Sequence, residues 1–288
     1  MNLREVRTKI KSFNNIKKIT KAMQMVSSVK MKRAQKAALE GRPYREALER
    51  MIERVSTGGD MKQSKFVTPP KSSSHKDLVI FITANKGLSG SFLTSLNRYV
   101  LKQVNYDTTD FISVGRKGAM FLGVTKGKMI ADFSRMHPIS EVSAIFSILS
   151  EEFLKGTYKK VHIVYNKFIN TIKFETTNEQ ILPVQLHEFE KKKEDKEHQS
   201  LKGSYEIEPS SVELIDALLK SYVEEKIRGA ILNSEAAEHS SRMIAMKNAT
   251  ENASDLIYNL VLEGNKLRQQ TITNELLDMI TAKESVES

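Results

Sequence analysis

Pro209 is the last proline of the 288-residue chain, and the residues after it carry apolar side chains at steps of three and four. This spacing places the apolar residues on one side of an α-helix and predicts a single helix from about residue 210 to residue 284. Gly229 and Gly264 are the only glycines in that stretch, and an isolated glycine costs a helix about 1 kcal/mol without ending it. At 1.5 Å per residue the helix would be roughly 110 Å long, so we expect it to project from the rest of the protein.

The first 36 residues are the second constraint, because they carry the net charge of the whole chain. They contain eleven Lys or Arg residues and one acidic residue, Glu5, which gives +10, while the other 252 residues sum to zero. Their pattern predicts an amphipathic helix from about residue 2 to residue 56, kinked at Pro43 because proline cannot donate a backbone hydrogen bond. The expected apolar stripe consists of Leu3, Val6, Ile10, Phe13, Ile16, Ile19, Met23, Val26 and Val29.

The two ends of the chain have opposite charge, which favours pairing between them. Residues 210 to 288 contain 13 acidic and 8 basic residues, a net charge of −5. Two long amphipathic helices of opposite charge predict an intramolecular antiparallel coiled coil, in which the N- and C-terminal helices pair as a shaft. Residues 233 to 254 contain five Ala and four Ser, and these small side chains predict the closest crossing of the two helices; the alternative is a partly exposed stretch of good helix formers.

The middle of the chain alternates short apolar runs with helical patterns. Such alternation predicts an inserted Rossmann-like α/β domain with a partly parallel sheet. Strands are expected at 77–84, 111–115, 160–168 and 174–185, and helices at 91–105, 117–122 and 141–154. The predicted organisation is an N-terminal shaft helix (1–57), a central α/β domain (76–186), a charged linker (187–208) and a C-terminal shaft helix (209–285).

The chain offers little that could carry catalysis or bind a cofactor. It has no cysteine, and its six histidines are scattered without the spacing of metal ligands. Gly87 to Ser91 follows a predicted strand, as a nucleophile elbow does, but Ser91 stands where G-x-S-x-G requires the last glycine. The simpler interpretation is a tight turn between a strand and a helix, which needs glycine for its geometry. We therefore expect no catalytic, cofactor-binding or metal-binding residue.

A basic helix could also bind nucleic acid, because cationic side chains can follow phosphates. However, Phe13 is the only aromatic residue among the first 43, and the chain has no Trp, so the aromatic side chains on which single strands stack are missing. The apolar stripe also occupies the helix face that a groove-binding helix would leave free. A basic coiled-coil nucleic-acid-binding protein remains the alternative function.

Both ends of the sequence resemble one protein family, the gamma subunit of F-type ATP synthase. The segment LREVRTKIKSFNNIKKITKAMQMVSSVKMKRAQ (Leu3 to Gln35) is similar to that family's N-terminal signature. The segments SSRMIAMKNATENASDLI (Ser240 to Ile257) and NKLRQQTITNELLDMITA (Asn265 to Ala282) are similar to its C-terminal signature. ITANKGLSGSF (Ile82 to Phe92) resembles the first turn of its central domain, although Asn85-Lys86 and Ser89 stand where an acidic-basic pair and a cysteine are common.

The resemblance implies a bacterial-type rotor shaft that is not itself catalytic. In that family the paired helices lie inside the alpha3beta3 hexamer, and the α/β domain contacts the epsilon subunit and the c-ring. Rotation of the c-ring turns the shaft, whose unlike faces stabilise different conformations of the catalytic beta subunits. The expected location is the cytoplasmic face of the bacterial inner membrane, with membrane association only indirect, through Fo.

The resemblance also implies which residues contact partners. Met23 corresponds to a position near the shaft's lower bearing, and Lys30, Arg33 and Lys36 are candidates for contact with the acidic beta lever. Arg268, Gln269 and Thr273 match positions that engage the beta catch loops. Tyr205 matches a region of the foot near the c-ring and epsilon. For each of them, ordinary packing or a solvated surface position is the competing interpretation.

Overall fold

Two long terminal helices and a central five-stranded sheet make up the computed structural model, which describes residues 2–55, 60–69, 76–134, 138–185 and 210–287. The predicted charged linker and Tyr205 lie outside these ranges. The helices are α1 (Leu3–Glu40), α2 (Arg42–Val55), α3 (Phe92–Gln103), α4 (Arg116–Thr125), α5 (Val142–Leu154) and α6 (Ser211–Glu287). The strands are β1 (Asp77–Ile82), β2 (Thr109–Val114), β3 (Lys128–Phe133), β4 (Lys160–Phe168) and β5 (Phe174–Leu182), and short 3-10 helices occupy Asp60–Gln63 and Pro138–Glu141.

The chain divides into two compact units, one built from its two ends and the other from the continuous segment between them. Residues 1–28 and 242–288 form the helical unit, which consists of the N-terminal part of α1 and the C-terminal part of α6. Residues 29–241 form the sheet unit, which contains the sheet, helices α2 to α5 and the remaining parts of α1 and α6.

Near the kink predicted at Pro43, the N-terminal helix is divided at Gly41 into α1 and α2. Gly41 donates its amide to the carbonyl oxygen of Ala37, and its own carbonyl accepts from the amide of Arg45. Pro43, two residues later, has no amide hydrogen to donate, which explains why the helix is interrupted here. The single C-terminal helix is confirmed, because α6 runs for 77 residues through both of its glycines.

The sheet has the order β3-β2-β1-β4-β5, with β5 antiparallel to β4 and the other neighbours parallel. The predicted Rossmann-like α/β domain and its four expected strands are confirmed. The sheet contains one further strand, β3, which was not predicted. It is an edge strand, KMIADF, in which all the side chains are exposed or only partly buried, so it lacks the apolar run that marks the buried strands β1 and β2.

Each face of the sheet packs against a separate apolar cluster. One cluster joins Phe92, Leu96 and Val100 of α3 and Leu122 of α4 to the sheet, and it also includes Ala237 of α6. The other joins α5 to the opposite face and includes apolar residues of α2 and of α6 from Ile215 to Ile231. Helix α6 therefore contributes to the packing on both faces of the sheet.

Gly115, which follows β2, lies against the backbone of Thr83 at the end of the parallel strands. Its φ is +103°, and a Cβ built there would lie 2.3 Å from the carbonyl oxygen of Thr83. The Thr83 hydroxyl lies 3.2 Å from the Val114 carbonyl oxygen and accepts a hydrogen bond from the Gly118 amide at 2.8 Å. These contacts tie the segment that follows β1 to the beginning of α4.

His162 on β4 gives the sheet unit a dependence on pH. Burial of this imidazole lowers its pKa, and Lys160 acts in the same direction while Asp77 opposes it. A lowered histidine pKa favours the neutral form in the folded state. Its contribution to stability is therefore complete above the ordinary pKa of about 6.5 and is lost as pH falls through the lowered value.

We expect the His162→Gln variant to lose less thermal stability than the parent chain between pH 7 and pH 5, because glutamine does not titrate. Circular dichroism melting curves of both chains at the two pH values measure this difference. Equal losses in the two chains would contradict the assignment to His162.

Candidate partner-binding surfaces

The helical unit is a two-helix antiparallel pair whose register is defined by two contacts. The Thr250 hydroxyl donates to the Thr20 hydroxyl oxygen at 2.7 Å. A Cβ on Gly264 would lie 3.2 Å from Cγ1 of Val6, a side chain that is only 1% exposed. Both contacts fit one antiparallel register, in which Leu3, the first residue of α1, is level with residue 267. The predicted coiled coil is thus confirmed within this unit.

The seam of this pair is more polar than the sequence pattern predicted. Positions of α1 at alternating steps of three and four are buried or partly buried, and the later ones are polar: Lys17, Thr20, Gln24 and Ser27. On α6 the corresponding positions are Met246, Thr250, Ala253, Ile257, Leu260, Gly264 and Leu267. A polar layer in a coiled-coil seam specifies the register at some cost in stability.

The predicted apolar stripe is wrong at four of its nine positions. Ile16, Ile19, Val26 and Val29 are 45–59% exposed. In the predicted stripe, several successive residues are three positions apart. On a helix of 3.6 residues per turn, a step of three falls about 60° short of a full turn, so two such steps move the side-chain direction by about 120°. A buried seam requires alternating steps of three and four. These four side chains instead lie outside the buried positions of α1.

Removing the hydroxyl of Thr20 or of Thr250 should weaken the helical unit modestly. Each single change to Val loses a hydrogen bond worth about 0.5–1.5 kcal/mol. Each remaining hydroxyl retains an acceptor on its own helix, the carbonyl of Lys17 for Thr20 and that of Met246 for Thr250. We therefore expect the double variant to cost less than the sum of the singles, in a double-mutant cycle measured by urea unfolding. Additive losses would show that the two hydroxyls do not interact.

Beyond residue 267, helix α6 has no partner from α1, because α1 begins at the level of that residue. All residues described from 268 to 283 are exposed. They include five large apolar side chains, Ile272, Leu276, Leu277, Met279 and Ile280, each 49–64% exposed. Large apolar side chains gathered on one exposed segment mark a surface that a partner covers.

Three predicted contact residues lie on this unpaired segment. Arg268, Gln269 and Thr273 are all exposed. The Thr273 hydroxyl donates to the Gln269 carbonyl at 3.0 Å, so toward a partner it offers its oxygen mainly as an acceptor. Arg268 and Gln269 offer donors.

The other predicted contact residues lie on α1, in different environments. Met23, in the helical unit, is partly buried, whereas Lys30, Arg33 and Lys36 of the sheet unit are exposed. Lys36 lies 3.7 Å from the Glu40 carboxylate, one turn along the helix. An exposed pair of this kind contributes little and leaves the lysine able to interact elsewhere.

Ser89, in the turn that resembles a nucleophile elbow, lacks the arrangement of a catalytic serine. Its side chain is buried, and its hydroxyl has no hydrogen-bond partner in the part of the chain that the structure describes. An activated serine needs a base within hydrogen-bond reach. The turn does have the expected glycine geometry, because Gly90 has a φ of +56°, and Leu88 adopts a φ of +60°. The carbonyl oxygen of Ser89 accepts a hydrogen bond from the Ser241 hydroxyl of α6 at 2.6 Å, a contact that sequence reasoning missed.

Comparison with known proteins connects these surfaces to one family. The model of the ATP synthase family matches residues 2–286. The ATP synthase gamma chain of Akkermansia muciniphila is 34% identical over 293 residues, covering 99% of both chains. The chain belongs to the ATP synthase gamma chain family. The gamma chain of Dehalococcoides mccartyi is 35% identical, covering 97% of both chains. Neither the family model nor these relatives support the nucleic-acid alternative.

Solved structures agree with this family membership. A chain from the central stalk and c-ring structure of the Tetrahymena thermophila mitochondrial ATP synthase aligns with a TM-score of 0.58 and 27% identity, covering 80% of this chain and 99% of that one. A chain of the Euglena gracilis mitochondrial ATP synthase aligns with a TM-score of 0.68 over 99% of this chain at 18% identity, which supports the fold alone. Among the described residues, no helix combines the length and the hydropathy that a membrane span requires.

Proposed function

We propose that this chain is the central rotor shaft of an F-type ATP synthase, which couples ion-driven rotation of the c-ring to conformational changes in the catalytic beta subunits. The chain carries no catalysis of its own, and ATP is made or hydrolysed on beta. Its partners are the alpha3beta3 hexamer, the epsilon subunit and the c-ring. Through the c-ring it is held at the cytoplasmic face of the bacterial inner membrane.

One observation supports this function most strongly: the unpaired end of α6. A single helix with five exposed large apolar side chains requires a surrounding surface, because burial of each such side chain contributes about 1.5–3 kcal/mol. A sleeve of alpha and beta subunits around the tip of the shaft would supply that surface. We place Arg268, Gln269 and Thr273 against beta catch loops at the start of this segment, where their polar groups are exposed.

The two helices of the shaft differ in charge, and this difference couples rotation to the state of the beta subunits. The N-terminal part of α1 carries seven basic residues and one acidic residue within residues 1–28, whereas residues 242–288 of α6 carry five basic and seven acidic residues. A shaft with one cationic and one weakly acidic helix presents a different surface to each beta subunit. A ligand that interacts differently with two conformations shifts their populations. Rotation of this asymmetric surface would therefore shift the conformation of each beta subunit in turn. Lys30, Arg33 and Lys36 would attract the acidic beta lever, and Met23 would lie at the lower bearing.

Reconstitution with purified alpha and beta subunits tests the proposal. We expect one copy of this chain to co-elute with three alpha–beta pairs and to support multisite ATP hydrolysis. A chain that elutes alone in the presence of both subunits would overturn the proposal.

The apolar side chains at the end of α6 should contribute strongly to this complex. We expect the replacement of Ile272, Leu276, Leu277, Met279 and Ile280 by Gln to raise the dissociation constant at least tenfold, which corresponds to about 1.4 kcal/mol. The matched control replaces five polar residues of the same segment by Gln: Thr271, Asn274, Glu275, Asp278 and Lys283. Titration of labelled chain against the alpha–beta complex measures both variants. Equal affinities would indicate that the tip of α6 is not enclosed.

A further inference from the structure

The carboxyl edge of the sheet, between β1 and β4, is occupied by helix α6. The order β3-β2-β1-β4-β5 places β1 at the point where the connections change direction, since β2 and β3 continue to one side of it and β4 returns on the other. The helices between these strands lie on opposite faces, α3 and α4 in one apolar cluster and α5 in the other. In open α/β sheets this switch point is the crevice in which ligands bind.

Two hydrogen bonds hold α6 at this edge, and both come from serine hydroxyls. Ser241 donates to the carbonyl of Ser89, in the turn after β1, at 2.6 Å. Ser240 donates to the carbonyl of Thr171, at the tip of the hairpin between β4 and β5, at 2.5 Å. Neighbouring residues on a helix point about 100° apart, so the two bonds connect α6 to two different loops.

Small residues one turn earlier allow the helix to come this close. Ala236 and Ala237 precede the two serines by four residues and are buried, which places each alanine on the same side of the helix as one serine. Ala237 belongs to the apolar cluster formed by Phe92, Ala84 and neighbouring residues. Part of the Ala and Ser enrichment of this stretch, at Ala237, Ser240 and Ser241, therefore serves its contact with the sheet edge.

The two loops that receive these bonds are themselves rigidly supported. Asn166, at the end of β4, is fully buried and donates to the Phe92 carbonyl at 2.9 Å, and it accepts from the Thr176 hydroxyl of β5 at 2.7 Å. The rings of Phe92 and Phe174 lie 5.9 Å apart. Asn170 accepts hydrogen bonds from the amides of Ile172 and Lys173 within the hairpin tip. A force on either loop is thus transmitted into the sheet.

We infer that Ser240 and Ser241 form a torsional clamp, which fixes the rotational position of α6 relative to the sheet and transmits torque between the α/β domain and the shaft helix. This inference rests on the proposed rotor function. Two anchors about 100° apart around the helix axis oppose rotation of the helix about that axis, in addition to the apolar packing of α6 against the sheet. The two serines are positioning residues, since they act through the helix and contact no reacting group.

Single-molecule rotation of the reconstituted complex tests the clamp. The alpha–beta hexamer is fixed to a surface and a bead is attached through Val124→Cys on α4, because Val124 is 83% exposed and the chain has no native cysteine. We expect the Ser240→Ala/Ser241→Ala variant to show a wider angular distribution of the bead during catalytic pauses, with an unchanged rate of ATP hydrolysis. Ser221→Ala is the matched control, because the Ser221 hydroxyl is bonded to the Ala217 carbonyl of its own helix.

The outcomes separate the clamp from the proposed function. An unchanged angular distribution in the double variant overturns the clamp. The Ser240→Ala/Ser241→Thr variant keeps one of the two hydroxyls. An angular distribution narrower than that of the double alanine variant supports the clamp. A parent chain that neither assembles nor rotates overturns the rotor function, and the clamp with it.

Discussion

The Gly115→Ala variant should be strongly destabilised, with a loss of about 2–6 kcal/mol in the free energy of unfolding of the sheet unit. Two costs are combined. A non-glycine residue at φ +103° carries a backbone strain of about 1–3 kcal/mol. The new Cβ would also lie 2.3 Å from the carbonyl oxygen of Thr83, and overpacking against a site that cannot retreat costs a further 1–3 kcal/mol or so.

Thr83 cannot move away easily, because its neighbours hold it from both sides. Its amide donates to the Val114 carbonyl at 2.7 Å, and its hydroxyl accepts from the amide of Gly118. We expect the melting temperature of the Gly115→Ala chain to fall by at least about 4 °C. Thermal unfolding followed by circular dichroism measures this fall.

Gly123→Ala is the matched control for this substitution. Gly123 lies within α4, the helix that begins directly after Gly115, and a Cβ there would meet no atom within 4 Å. Alanine in an exposed helix interior is favoured over glycine by about 0.5–1 kcal/mol, so this variant should be slightly more stable than the parent. Destabilisation of both variants to the same degree would contradict the geometry at Gly115.

The long elements of this protein were predictable because local pattern determines them. Helix α6 has no proline for 77 residues, and the break at Gly41 follows from Pro43, whose ring removes a backbone donor. The strands β1 and β2 are continuous apolar runs bounded by polar turns, which is how buried parallel strands read in sequence. For these elements the tertiary structure does not override the local signal.

The features that were missed depend on partners far away in the sequence. The buried seam of α1 uses Thr20, whose place is evident only opposite Thr250, 230 positions along the chain. The exposed Ile19 looked like a better seam residue by hydropathy alone. The contacts of Ser240 and Ser241 with loop carbonyls could not be inferred from composition, although the local enrichment in Ala and Ser was a signal that something packs closely there.

The partner-binding residues were accessible only through resemblance to a family. Arg268, Gln269 and Thr273 lie on a uniformly exposed helix, and nothing in their spacing separates them from ordinary surface residues. Their role stays a proposal, as do those of Met23 and of the cations on α1. In contrast, the structure shows that the end of α6 is exposed and has no partner from α1. These residues are therefore available for contact with another protein.

Reversal of the charges at Lys30, Arg33 and Lys36 should have the largest effect on assembly. The three side chains are exposed, so they can act on an approaching acidic surface before contact is made. Electrostatic steering of this kind raises association rates by about 10- to 1,000-fold. We therefore expect the Lys30→Glu/Arg33→Glu/Lys36→Glu variant to associate with the alpha–beta complex at least tenfold more slowly at low ionic strength, as measured by stopped-flow fluorescence.

A control of equal charge separates a specific contact from general attraction. The Lys102→Glu/Lys167→Glu/Lys173→Glu variant also changes three exposed lysine positions and lowers the net charge by the same amount, but on the α/β domain. It should associate at nearly the parent rate if the acidic lever of beta meets α1. The difference between the two variants should shrink as salt increases, because the Debye length falls from about 10 Å at 0.1 M to about 3 Å at 1 M. Equal slowing by both would mean that net charge alone drives the encounter and that these three cations have no special place on the shaft.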